Sequence, residues 1–279
     1  MKTVISASRR TDIPAFYLKP FMESLRRGYV EVSNPFFPKQ KRIVSLKHED
    51  VYWIVFWSRN YKHFLKQREF FSDYQLFFHF TILPPSPLEK ITLPYPQALK
   101  QMELLAGYYG GDRIVWRYDP ICHWAEGNEL YSNHDIRQFE LLCKTISTFR
   151  VSRCYISFVH IYQKYLRRFT RAWPDKKIVE PTLSDRLALV RELKCIADAF
   201  HITIYSCCNS ELLEVPGILM GHCIDGNLLN TLDPSEPVSQ RKCPTRQGCG
   251  CTHSIDVGNY NQQPCYFGCM YCYANPIEK

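Results

Sequence analysis

Six short runs of β-branched and aromatic residues, most of them followed by a stretch long enough for a helix, constrain this chain more than any other feature. They cover 3 to 8 (TVISAS), 51 to 57 (VYWIVFW), 75 to 83 (QLFFHFTIL), 113 to 120 (RIVWRYDP), 154 to 162 (CYISFVHIY) and 202 to 208 (ITIYSCC). Such runs read as strands. Most are apolar at successive rather than alternate positions, so both faces are expected to be buried. Helices are expected over Ala15 to Gly28, Pro94 to Gly107, Asn133 to Phe149 and Leu183 to Phe200, where apolar residues recur every three or four positions. Gly28 and Gly107 stand where C-terminal caps belong, and Asn133-His134-Asp135 and Ser184-Asp185 offer N-cap side chains. A β-then-α alternation of this kind predicts an α/β fold with a parallel sheet covered by helices. A complete or partial (β/α) barrel of the TIM type fits best. An open doubly wound sheet is the alternative, and no GxGxxG follows the first strand to favour it.

After Asn230 the texture changes to proline, glycine, glutamine and cysteine. Residues 1–240 are therefore expected to form the barrel-like domain, and residues 241–279 a cysteine-rich segment that packs on its mouth. Little regular structure can form in that segment by propensity, so a metal centre is the expected source of its order.

With 35 Lys+Arg against 27 Asp+Glu the net charge is +8, spread without long basic tracts. An anionic substrate is permitted but not required. Arg9, Arg10 and Asp12 interrupt any apolar core near the start, so a signal peptide is not expected. The longest apolar run, Val51 to Trp57, is far short of the roughly 20 residues that span a bilayer. A cytoplasmic protein with no membrane partner is expected. Thirteen cysteines are many for a reducing compartment, and six of them fall between Cys243 and Cys272. Ligands or reactive thiols explain that clustering better than disulfides do.

Polar residues collect just past the predicted strand ends: Arg9, Arg10 and Asp12; Ser58, Arg59 and Asn60; Arg117 and Asp119; His160 and Tyr162; Cys207, Cys208 and Asn209. In a barrel this is the functional rim. Loops are polar anyway, so the repetition carries more weight than any single residue. Arg9, Arg10, Asp12, Arg117 and Asp119 are the candidate catalytic set. The guanidinium groups suit a carboxylate or phosphate, and the two aspartates either pair with them or meet ribose hydroxyls.

Cys265-x3-Cys269-x2-Cys272 places three cysteines within eight residues. One loop with that spacing can wrap an iron–sulfur cluster and leave one iron without a neighbouring thiolate. Structural zinc would prefer paired C-x2-C knuckles, and only Cys269/Cys272 has that spacing. Cys207, Cys223, Cys249 and Cys251, with Cys208 and Cys243 nearby in sequence, are candidate ligands of an auxiliary site. Cys122, Cys143, Cys154 and Cys195 read as small core hydrophobes.

C-x3-C-x2-C resembles the cluster motif of the radical S-adenosylmethionine superfamily, and YNQQPCYFGCMYCYANP resembles the cluster loop of its spore photoproduct lyase and DNA-repair-photolyase-like branch. That resemblance implies a [4Fe–4S] cluster on Cys265, Cys269 and Cys272, S-adenosylmethionine as cofactor, and Tyr271 packing against its adenine; Arg117, by its guanidinium fork, is a further candidate contact for the cofactor's carboxylate. The cluster loop of that superfamily follows the first strand, whereas here it stands seven residues from the end. SASRRTDIPAFY, NPF, VFWSRN, RIVWRYDPI, CID and the CGC…CxxxCxYCYAN ending also resemble, across nearly the whole chain, a bacterial domain family of unknown function.

Three classes of function are consistent with these features. The first is a radical S-adenosylmethionine enzyme acting on an unidentified substrate such as nucleic acid or a nucleotide, served by an electron donor such as flavodoxin or ferredoxin. The second is a non-catalytic iron–sulfur redox protein. The third is a zinc-stabilised nucleic-acid-binding protein, against which stands the lack of a continuous basic stripe.

Overall fold

All six apolar runs form strands, and they lie side by side. The computed structural model describes residues 2–35, 37, 39–243 and 248–277. In chain order the strands are β1 (Thr3–Ser6), β2 (Tyr29–Ser33), β3 (Lys41–Ser45), β4 (Val51–Ser58), β5 (Gln75–Thr81), β6 (Ile114–Ile121), β7 (His123–Glu126), β8 (Glu129–Ser132), β9 (Arg153–Phe158), β10 (Lys176–Val179), β11 (Thr203–Ser206), β12 (Leu219–Met220) and β13 (Ile255–Asp256). The helices are α1 (Leu18–Arg27), α2 (Lys62–Lys66), α3 (Tyr95–Tyr109), α4 (Ile136–Thr148), α5 (Gln163–Ala172), α6 (Leu183–Ala199) and α7 (Gly226–Leu232).

The main sheet runs β13-β1-β4-β5-β6-β9-β11-β12, with every pairing parallel. From β1 to β12 each new strand is added beside the last, so every crossover steps in the same direction. Right-handed crossovers then place the connecting helices on one face, and the doubly wound alternative is excluded. No ladder joins β12 to β13 among the described residues, so the sheet keeps two edges. The segments beyond those edges do touch, through Thr252 N donating to Ile224 O at 2.9 Å. The cysteine-rich segment contributes β13 to this same sheet, and β2/β3 and β10-β7-β8 form two small antiparallel sheets.

Both faces of the parallel strands are buried, as their unbroken apolar runs require. Ile5, Ile54, Phe56, Phe78, Trp116 and Ile156 share one core with Met22, Leu105, Phe139 and Leu193 of the flanking helices. Their sequence neighbours Val4, Trp53, Val55, Phe77, Val115 and Tyr155 pack on the other side against Ile224, Leu229, Val238 and Cys251. Each fully buried large side chain contributes about 1.5–3 kcal/mol. The second core lies among chain segments that also carry Cys207, Cys208, Cys223, Cys249 and Cys251.

Helix ends partly follow their expected signals. Gly28 caps α1 in the left-handed conformation, and Asp135 caps α4 by accepting from Gln138 N at 2.9 Å. Gly107 is not a cap: α3 runs through it to Tyr109 and stops at Gly110. At α6 the N-cap is Thr182, with Asp185 closing a capping box as its third-position partner, because hydroxyl and carboxylate need that spacing. Cys195 is exposed rather than in the core. The buried face of α6 is Leu187, Val190, Leu193 and Ala197, and Cys195 lies roughly 200° around the helix from Leu193. Among the described residues, no helix is long and apolar enough to cross a membrane.

Candidate functional site

The C-terminal cysteine loop is held over the C-terminal ends of the sheet strands by side chains and backbone that emerge there. Past β1, Tyr17 Oη donates to Pro264 O at 2.7 Å, and Arg9 O accepts from Tyr273 Oη at 2.7 Å. Past β5, Leu88 O accepts from Met270 N at 2.7 Å and Ile91 N donates to Phe267 O at 3.2 Å. On α5, past β9, Arg168 Nε donates to Met270 O at 2.8 Å, Arg168 Nη2 donates to Cys272 O, and Lys164 Nζ reaches Asn275 Oδ1 at 2.8 Å. Gly268 turns the loop at φ +64°, and a Cβ there would sit 2.8 Å from Lys90 Cδ. The loop is therefore tied to three strand ends at once, although chain order puts it last.

Cys265, Cys269 and Cys272 pack in one buried cluster with Ala15, Leu88, Cys122, Tyr165 and Tyr271. Burial pushes all three thiols up, Cys269 to about 12 although Arg59 acts to lower it. Such thiols stay protonated at neutral pH unless a cation replaces the proton, as metal ligation does. In the present arrangement no group of three or more His, Cys, Asp or Glu side chains among the described residues is set to hold a metal ion.

Beneath the loop lies a buried polar set. Arg59 grips Glu89 with both guanidinium nitrogens, at 2.5 and 2.7 Å, and its Nη2 also reaches Tyr271 Oη at 2.5 Å. Tyr271 Oη in turn donates to Glu89 Oε1. Burial alone would lower the Arg59 pKa, but Glu89, Tyr271 and Cys269 outweigh it and hold the guanidinium charged. Asp12 caps the single π turn Ile13–Tyr17 by accepting from Ala15 N at 3.0 Å, and it also accepts from Ser58 Oγ at 2.8 Å and Arg59 N at 3.1 Å. Burial raises its carboxyl to about 7 against those hydrogen bonds, so it can hold or release a proton near neutrality.

A second thiol group stands on the same rim. Cys207 Sγ and Cys223 Sγ are 3.5 Å apart, and Arg117 donates to both, Nη1 to Cys223 at 3.2 Å and Nη2 to Cys207 at 3.5 Å. Cys249 and Cys251 pack in or against the same cluster as Cys207 and Cys223. Arg9 Nη2 lies 3.9 Å from Cys251 Sγ, and Ile224 N donates to the same sulfur at 3.4 Å. Arg117 is paired with Asp119 at 2.6 Å and Arg9 with Asp256 at 3.0 Å. His79, stacked on Trp57, meets Cys223 O at 2.8 Å, and burial lowers its pKa to about 4.

The structure thus sorts the sequence candidates into two groups. Asp12 joins Cys265, Cys269, Cys272 and Tyr271, while Arg117, Asp119 and Arg9 join Cys207, Cys223, Cys249 and Cys251. Of the two aspartates only Asp119 pairs with an expected arginine. Arg10 is committed to backbone, Ser33 O at 2.8 Å and Gly258 O at 3.4 Å, which ties β2 to the tail. Cys243 is half-buried and pairs with Cys251 through backbone alone, N to O at 2.8 Å. Glu89, Arg168 and Cys122 belong to the first group and were not among the sequence candidates. Cys122 is fully buried, as a small core hydrophobe should be, and it also stands directly past β6, a strand-end position like that of Cys207. Nothing local marks Glu89 or Arg168.

A family described as "Domain of unknown function (DUF1848)" matches residues 4–274. None of the curated proteins compared with the chain matches it. Among solved structures, a D-hydantoinase resembles it at 10% identity and TM-score 0.33, over 60% of this chain and 36% of that one. The D-hydantoinase from a Bacillus sp. AR9, whose structure is titled for mercury inhibition, resembles it at 10% identity and TM-score 0.32, with the same coverage. The chain spans about a third of the length of either.

Proposed function

The chain belongs to this family of unknown function, DUF1848, and on that premise we propose that its C-terminal loop binds a [4Fe–4S] cluster through Cys265, Cys269 and Cys272 in a radical S-adenosylmethionine-type enzyme. The observation that carries the reading is the seating of the loop across the ends of β1, β5 and β9, beside Asp12, Arg59, Glu89 and Tyr271. Enzymes built on parallel sheets with one-sided helices use that end of the strands. The singly wound sheet accordingly reads as a partial (β/α) barrel, with the loop over its mouth.

Cys265, Cys269 and Cys272 would hold the cluster, and the chemistry it would supply is one-electron reductive cleavage of the sulfonium C–S bond of S-adenosylmethionine, with methionine as the leaving group. The chain's own part is to hold and to shield. Arg168 and the Leu88–Ile91 segment fix the loop backbone, so that metal loading sets the sulfur positions against a rigid frame. Tyr271, pinned by its hydroxyl to Arg59 and Glu89, keeps one orientation for the ring that the resemblance assigns to the adenine. Ala15, Leu88, Tyr165 and Phe169 exclude water from the thiols. The net charge of +8 suits an anionic substrate such as a nucleotide or nucleic acid, and a small electron-transfer protein of the flavodoxin or ferredoxin type would supply the electron.

Cys122 favours a second reading. Its thiol lies in the same buried cluster as Cys269, and as a fourth ligand it would make the centre an electron carrier with no open iron. Anaerobic reconstitution with iron and sulfide, followed by reduction with S-adenosylmethionine present, tests the proposal. The enzyme reading expects 5′-deoxyadenosine to accumulate, and also in Cys122→Ser. A fully loaded, reducible protein that leaves the cofactor intact overturns it and leaves the carrier.

A further inference from the structure

The four thiols come from three separate places: the end of β11 (Cys207) and the turn past β12 (Cys223), both reached by Arg117, and the segment before β13 (Cys249 and Cys251). Backbone constraints at each place bring them together. Cys208 adopts φ +63°, a left-handed conformation that disfavours any residue but glycine. Gly250 passes so close to His222 that a Cβ would fall 2.3 Å from its Nε2, so this cysteine-bearing segment is clamped where only glycine fits. A left-handed residue beside Cys207 and a close glycine passage between Cys249 and Cys251, both meeting at sulfur, are not explained by packing of small apolar groups.

The electrostatics point the same way. Three of the sulfurs face N–H donors, Arg117 for Cys207 and Cys223, and Ile224 N for Cys251. Cys207 and Cys223 already meet at 3.5 Å, Cys251 Sγ accepts from the backbone N–H next to Cys223, and Cys249 packs against the same cluster, so convergence on a common metal asks for side-chain rotation and not a new backbone path.

We propose that Cys207, Cys223, Cys249 and Cys251 form a second thiolate centre, separate from the C-terminal loop, that takes a thiophilic metal, either a zinc ion or an iron–sulfur cluster. Arg117 and Arg9 are its positioning residues, donating to the ligand sulfurs. The inference does not rest on the proposed reaction, since it concerns a different set of cysteines.

The test removes the first site and looks for metal in the second. Full-length protein carrying Cys265→Ser, Cys269→Ser and Cys272→Ser is purified anaerobically, checked for folding by circular dichroism, and assayed for zinc, iron and acid-labile sulfide. The expected result is one metal centre per chain: zinc without sulfide for the ion, or iron with equal sulfide for the cluster. Folded but metal-free protein overturns the proposal, as does a Cys207–Cys223 disulfide in its place. Should that triple variant not fold, Cys207→Ser/Cys223→Ser in the otherwise native chain decides. It is expected to lose one centre while keeping the other, and an undiminished metal content overturns the proposal.

Discussion

Arg59 and Glu89, 30 residues apart, form a bidentate ion pair directly beneath the cysteine loop, with the Glu89 side chain wholly shielded from solvent. Tyr271 closes the triangle from the loop itself. A buried pair of this kind adds little net stability compared with apolar residues, but removing one member strands the other charge. The pair therefore acts as a fixed peg onto which the loop's last turn is fastened.

Glu89→Ala is accordingly expected to cost about 3–5 kcal/mol, read from denaturant unfolding. An Arg59→Met/Glu89→Leu protein should recover most of that stability, because neither charge is left behind. It should still show faster amide exchange at Met270 and Tyr271, since the tyrosine hydroxyl has lost both partners.

Gly268→Ala places a methyl group against Lys90 in a left-handed conformation, and roughly 1–2 kcal/mol of strain follows. The expected outcome is a loop cut by protease at low enzyme ratios while the sheet domain stays intact. Unchanged proteolysis would show that the loop does not depend on this turn.

Acid should weaken the fold as its buried histidines are forced to charge, an effect that Asp12, whose raised carboxyl takes its proton near pH 7 in the folded chain, offsets only in part. The lowered pKa of His79, about 4, means that the unfolded chain, titrating near 6.5, takes up a proton the folded chain refuses. Stability is therefore complete above about pH 6.5 and falls as the pH drops towards 4, by about 1.4 kcal/mol per pH unit for this residue. His123, also lowered to about 4 by burial, acts with the same sign. Unfolding midpoints at pH 7, 6 and 5 in apo protein check this, and a flat profile contradicts it.

Strand runs were readable because parallel strands buried on both faces must be apolar throughout, as in Val51–Ser58. The winding of the sheet was not, since one-sided and two-sided crossovers use the same alternation of elements. Within the site, the three cysteines of the loop and the strand-end Asp12 and Arg117 carry local signals of spacing or position. Glu89 and Arg168 carry none, because their roles come from contacts with Tyr271, Met270 and Cys272, which lie 102 to 182 residues away. Helix α5 escaped notice for a related reason: its polar surface obscures the few residues, Tyr165, Arg168 and Phe169, that it buries.

The central claim is that Cys265, Cys269 and Cys272 hold a cluster whose fourth corner is open to a small molecule. Electron paramagnetic resonance of the anaerobically reconstituted, reduced protein measures this directly. To isolate the signal from any centre at Cys207, Cys223, Cys249 and Cys251, the comparison protein carries Cys265→Ala, Cys269→Ala and Cys272→Ala. The account predicts a [4Fe–4S] signal absent from that comparison protein and shifted when S-adenosylmethionine is added. A signal that the three alanines leave unchanged, or one indifferent to S-adenosylmethionine, would contradict it.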